Sequence, residues 1–218
     1  NEPVMSMSQK ATLIHEPMTS ITDFLIFIVA CYYGWYTLSL FKSVFHLIWS
    51  ISFFVLGFGA LLGGVRHGFG PNFSKTQKKI IWFLTLIFVG ISSQCLFLSL
   101  FTLINNNSIN LVVIIILFLH FLLFVFKVLK NDKFLNAIKF YLPVLLISLI
   151  ISLYTFFVVG YTGAMFISLG IVVILVASLV QMSNITLHKH FNNNDFFHVL
   201  QIIGMYFLYI GGLEIPEI

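Results

Sequence analysis

The chain has 218 residues, 60% of them hydrophobic and only 8% charged, with a net charge of +4. Water-soluble domains carry about 25% charged residues, so an ordinary soluble fold is excluded, and a few positive charges held in short loops give no basis for nucleic-acid binding. At about 20 apolar residues per membrane-crossing helix, the length accommodates roughly seven helices and no separate soluble domain.

In chain order, residues 1–15 read as a polar tail, followed by a membrane domain over 16–213 and a short tail at 214–218. Seven apolar runs fall at about 17–40, 44–66, 79–104, 109–129, 135–155, 158–183 and 195–213. The first continues too far for a signal peptide and lacks a small-residue cleavage site. None shows strict two-residue alternation, so helices are expected rather than a barrel. The weakest break is VVGYTG, where Gly160 and Gly163 allow a tight turn; a re-entrant segment is the alternative there. Cys31 and Cys95 both sit inside apolar runs, which suggests neither a disulfide framework nor a cysteine zinc site. The fold class is all-α, a polytopic seven-transmembrane-helix bundle.

Lysine and arginine set the expected orientation. Arg66, Lys75, Lys78 and Lys79 lie between the second and third runs, Lys127, Lys130 and Lys133 between the fourth and fifth, and Lys189 between the sixth and seventh. The opposite loops hold little beyond Lys42. The positive-inside rule then places the N-terminus inside and the C-terminus outside, in what is expected to be a bacterial inner membrane.

Three places share the predicted cytoplasmic side: the start of span one, the end of span two and the start of span seven. They hold Glu16 and Asp23, then Arg66 and His67, then Asp195 and His198. Ionisable groups in lipid are costly and turn inward or toward water, so a shared polar cavity is expected. Glu16 and Asp23 are seven apart, two helical turns, with Thr19 between them. Glu16 also suits a helix N-terminus on dipole grounds alone. On span two, Gly59 and Gly63 form a small-residue face for close helix approach. On span seven, Asp195, His198, Gln201, Met205 and Tyr209 form one stripe, with Phe197, Leu200, Ile203 and Phe207 on the other face.

His67, Asp195 and His198 are ligand types suited to Zn²⁺ or a similar divalent ion. Such a site would lower the pKa of a bound water to give a hydroxide nucleophile, with Asp23 or Glu16 as the catalytic carboxylate and Gln201 and Asn194 lining the cavity. A metal-free His–Asp–Gln hydrogen-bond network satisfies the same residues. His46 is expected near the outer interface, and His120, GISSQC (90–95), His188 and His190 receive packing or surface readings.

Seven spans, His67 at the inner end of span two and FHVL near the start of span seven resemble the CREST superfamily, which includes alkaline ceramidases and the progestin and adipoQ receptors. The expected N-inside topology resembles its receptor branch. The resemblance implies a zinc site built from the span-two histidine and a histidine pair on span seven, and hydrolysis of a lipid amide. His67 and His198 match two of those positions. Gly63 stands where the family has serine, span three has no acid, and Asn194 stands in place of the first span-seven histidine. Asp195 is then the adjacent alternative ligand, and Asp23 or Glu16 the substitute acid.

The expected function is a metal-dependent membrane hydrolase acting on a lipid or lipid amide, with membrane lipid as both environment and substrate. The alternative is a non-enzymatic seven-span protein that binds a ligand or senses pH through His67 and His198. A haem protein with the same two histidines as axial ligands is a third reading. A microbial rhodopsin is disfavoured because span seven has no lysine, and an inverted-repeat transporter because no two helices are interrupted at matching positions.

Overall fold

The computed structural model describes residues 14–105, 109–183 and 191–217. They form seven helices: α1 (Pro17–Ser39), α2 (Val44–Phe69), α3 (Lys75–Ile104), α4 (Leu111–Lys130), α5 (Phe134–Tyr154), α6 (Gly163–Met182) and α7 (Asn193–Glu214). All seven are long and apolar enough to cross a membrane, so the architecture is compatible with a multi-pass membrane protein. Helices suit that setting because they satisfy their own backbone hydrogen bonds.

Local sequence explains where several of the helices begin. Pro17 occupies the first turn of α1, where its missing N–H costs nothing. α3 starts four residues earlier than its apolar run, because Ser74 and Gln77 form a reciprocal capping box. Lys75, Lys78 and Lys79 are therefore helical residues of the first turns rather than loop residues. The Asn110 side chain caps α4 by accepting from Val112 N–H and Val113 N–H.

The break between runs five and six is a simple reversal rather than a re-entrant segment. α5 ends in a single wide π-turn over Thr155–Val159, and Gly160 adopts φ +88°, the left-handed region that favours glycine. The described residues of the linker before α7 begin only at Phe191, so His188, Lys189 and His190 lie outside them.

The principal helix contacts close a ring in the order α1, α2, α3, α5, α6, α7 and back to α1, while α4 packs outside against α3 and α5. Only Phe124 and Val128 of α4 are buried, and Leu111, Val112, Leu123 and Phe126 face outward. The expected packing roles are visible here. Gln94 donates its amide to Leu117 O on α4 (2.8 Å), and Ser92 donates to Ser52 O on α2 (2.8 Å). His120 lies flat on Phe140, centroids 4.3 Å apart. His46, in the first turn of α2, is buried within the bundle, with Nδ1 3.0 Å from the Ser43 hydroxyl.

α6 and α7 pack backbone to backbone, and glycine makes it possible. Gly163 and Gly170 on α6 face Gly211 and Gly204 on α7, each pair spaced by seven residues. A Cβ on Gly211 would lie 2.6 Å from Gly163 O, and one on Gly170 2.8 Å from Gly204 O. Backbone therefore meets backbone along two helical turns, the arrangement that small residues permit in membrane bundles.

Candidate functional site

The start of α1 is pinned between α2 and α7 by a polar seam. The Ser20 hydroxyl donates to Gly64 O (2.9 Å), and the His15 N–H donates to Gly68 O (3.0 Å). His67 Nδ1–H donates to Glu16 Oε2 at 2.7 Å, joining the end of α2 to the start of α1. Toward α7, the Thr19 hydroxyl donates to Asp195 Oδ1 (2.7 Å), and Thr22 Oγ1 lies 2.8 Å from His198 Nδ1. Deeper in the bundle, His198 Nε2 is 3.4 Å from Asp23 Oδ1. The side chains of Asp23 and His198 are only 8% and 10% exposed, so this pair is interior, whereas Glu16 at 38% remains at the edge.

Thr22 orients the His198 ring. Its hydroxyl lies 3.0 Å from both Met18 O and Thr19 O, the back-bonding usual for threonine in a helix. With its proton given to one of those carbonyls, the Thr22 oxygen accepts from His198 Nδ1–H, and the Nε2 edge faces Asp23. One further proton between Nε2 and Oδ1 leaves the pair net neutral whichever partner holds it, as a low-polarity interior favours.

Asp195 has a different task. It is fully buried, and both carboxylate oxygens are taken: Oδ1 by Thr19 and Oδ2 by Asn192 N–H (2.8 Å). Asn192 reciprocates by accepting from Asn194 N–H and Asp195 N–H, so the two residues form the capping box of α7. The expected ligand group of His67, Asp195 and His198 is not assembled as such. Among the described residues no three His, Cys, Asp or Glu side chains stand close enough to share a metal ion. Asp195 would have to leave two short hydrogen bonds to join one.

Inside the ring is a cavity of about 330 Å³, lined by residues from all six ring helices and none from α4. Asp23, His67, His198, Gln201 and Asn194 all line it, as the sequence suggested, whereas Glu16 and Asp195 do not. Gln181 and Thr85 join the polar wall, and Phe197, expected on the opposite face of α7, is buried and also lines the cavity. The far end is walled by Ile26, Phe53, Leu56, Val89, Leu96 and Leu145. Serines at that end are already committed: Ser52 donates to Trp49 O, Ser92 to Ser52 O and Ser93 to Gly90 O. The cavity is thus apolar in body and polar at one end.

Gly63 gives Asp23 its place. A Cβ there would stand 3.1 Å from Asp23 Oδ2 and 3.3 Å from both Cγ and Oδ1, tighter than nearly all real contacts. The α2 glycines expected to serve helix packing do so, and Gly63 in particular admits a carboxylate. Asp23 Oδ2 has no hydrogen-bond partner among the described residues although it is buried. Buried polar atoms are nearly always paired, so this oxygen is where the cavity wall asks for a partner.

Fold and site together define a seven-helix bundle of membrane-crossing dimensions with an internal amphipathic cavity. The chain belongs to a family of unknown function, DUF6962, whose profile matches residues 18–217. No curated protein matches the sequence.

Proposed function

We propose that this protein is a membrane receptor or carrier for a small single-chain amphiphile, held in the ring cavity with its polar end at Asp23, His198 and Gln201. The observation that carries this reading is the cavity's division into an apolar body and a polar end containing an unpartnered buried carboxylate oxygen. Size narrows the occupant. At about 330 Å³ the cavity lies near the lower end of the roughly 300–1,000 Å³ of small-molecule pockets. A ten-carbon chain with one polar atom is on that scale, and a whole diacyl lipid is well above it. The distribution of lysine and arginine supports a cytoplasmic position for the polar end, with the N-terminus inside.

The test is saturable thermal stabilisation by 1-decanol of protein in phosphatidylcholine nanodiscs. Ala60→Phe, which fills the cavity from α2, abolishes stabilisation, and Leu123→Trp on the outward face of α4 leaves it intact. Equal stabilisation of both variants would assign the effect to the lipid and sink the proposal.

A second reading, metal-dependent hydrolysis of a lipid or lipid amide as the CREST resemblance implies, is supported by His67, His198 and Asp23 lining one cavity. It requires about one zinc per purified chain, lost in both His67→Ala and His198→Ala. Metal content unchanged by these substitutions would remove it.

A further inference from the structure

Granted a ligand-binding cavity, the wall chemistry specifies the head group. Among the described residues, the two fully buried cavity-wall atoms without a hydrogen-bond partner are acceptors. Asp23 Oδ2 has no partner among the described residues, and neither does Gln181 Oε1, whose amide nitrogen donates to Asn194 Oδ1 at 2.7 Å. Asn and Gln amides can be turned end for end, but a carboxylate oxygen has no such freedom. Among the described residues no lysine or arginine lines the cavity. Its two histidines are each turned toward a carboxylate already, His67 to Glu16 and His198 to Asp23. An anionic head would enter beside the Asp23 carboxyl with no lysine or arginine among the described residues of the cavity wall to meet it. Such a charge is costly to bury without a partner.

We infer that the ligand is a single-chain amphiphile with a hydrogen-bond-donating head group, a primary amine in the first place, received by Asp23 Oδ2. This rests on the binding reading above and adds the recognition chemistry. A neutral amine that takes up the one proton shared by Asp23 and His198 becomes an ammonium beside the Asp23 carboxylate and leaves the site net neutral; it supplies three donors and no acceptor, which suits Oδ2 with the Gln181 amide oxygen as a second acceptor on the wall. Gly63 is part of the device, because its missing side chain lets the carboxylate stand against α2 with Oδ2 unpaired. A charge-assisted hydrogen bond is the stronger kind, so the amine exceeds the alcohol and the alcohol exceeds the carboxylate.

The experiment compares decylamine, 1-decanol and decanoate at equal chain length, in nanodiscs of zwitterionic phosphatidylcholine, by competition against one labelled decyl probe. Decylamine binds about tenfold or more tighter than decanoate. Asp23→Asn removes most of that preference by lowering decylamine affinity far more than 1-decanol affinity, and Leu123→Trp on the outward face of α4 leaves both unchanged. If Asp23→Asn does not fold, Gly63→Ala serves instead: it keeps the charge but crowds Oδ2, and the amine preference falls in the same sense. Decanoate binding as tightly as decylamine overturns the inference and leaves the cavity reading standing. Failure of all three to saturate overturns both.

Discussion

Replacing Gly211 with alanine destabilises the protein, although alanine is the better helix former. Propensity alone favours the substitution by about 1 kcal/mol in a helix interior. Against it, the new methyl would lie 2.6 Å from Gly163 O and 2.7 Å from Ile167 N, and backbone atoms cannot swing aside as a side-chain tip can. Overpacking of this kind costs about 1–3 kcal/mol, more where only backbone can move. The expected net loss is about 2 kcal/mol, or roughly 4–8 °C in unfolding temperature for a chain of this length. Gly170→Ala acts in the same direction, because its methyl would lie 2.8 Å from Gly204 O and from Leu208 Cγ. The double variant loses less than the sum, since helices already forced apart accommodate the second methyl. Thermal unfolding of the solubilised protein checks this, and a neutral or stabilising Gly211→Ala would mean that α6 and α7 do not touch backbone to backbone.

Asp195→Ala is expected to be among the most damaging polar substitutions in the chain. It removes the acceptor for the Thr19 hydroxyl, a hydrogen bond to a charged group worth about 1.5–3 kcal/mol, and half of the α7 capping box, worth about 1 kcal/mol. The summed loss is about 3 kcal/mol. Asp195→Asn keeps an oxygen for Thr19 but presents its amide to Asn192 N–H, donor against donor, so it loses about half as much. The discriminating readout is binding. Asp195 does not line the cavity, so amphiphile affinity in the folded Asp195→Asn protein stays within a few-fold of wild type. Full stability with lost binding would return Asp195 to the site.

The seven helices and the polar end were legible because they rest on local patterns. Apolar run length sets the helices, and Glu16, Thr19 and Asp23 recur along one face of α1 at spacings a helix must honour. Asp195 was harder, since the same three-residue step to His198 that puts both on one stripe also makes Asp195 the third residue after Asn192, the spacing of a capping box. The cap takes both oxygens, and the sequence stripe does not say which role prevails. Thr22 carries no sequence signal of its role, because a threonine in a helix ordinarily bonds its own backbone. It does so here while also meeting His198. The Gly163, Gly170, Gly204 and Gly211 contact is non-local, and beside Gly160 the local signal of Gly163 is that of a turn. That Phe197 faces the cavity follows from the rotation of α7 against α5 and α6, which periodicity alone leaves free.

The central claim is that the ring interior, rather than the outer surface, receives the amphiphile. The most direct measurement is photolabelling with a decylamine that carries a diazirine near the chain terminus, followed by peptide mapping. Labelling of the cavity-facing stretches of α2, α3 and α5 around Phe53, Val89, Leu96 and Leu145, suppressed by excess unlabelled decylamine, is the predicted result. Labelling confined to outward residues such as Leu123 and Phe126 of α4, and indifferent to the competitor, would contradict the account.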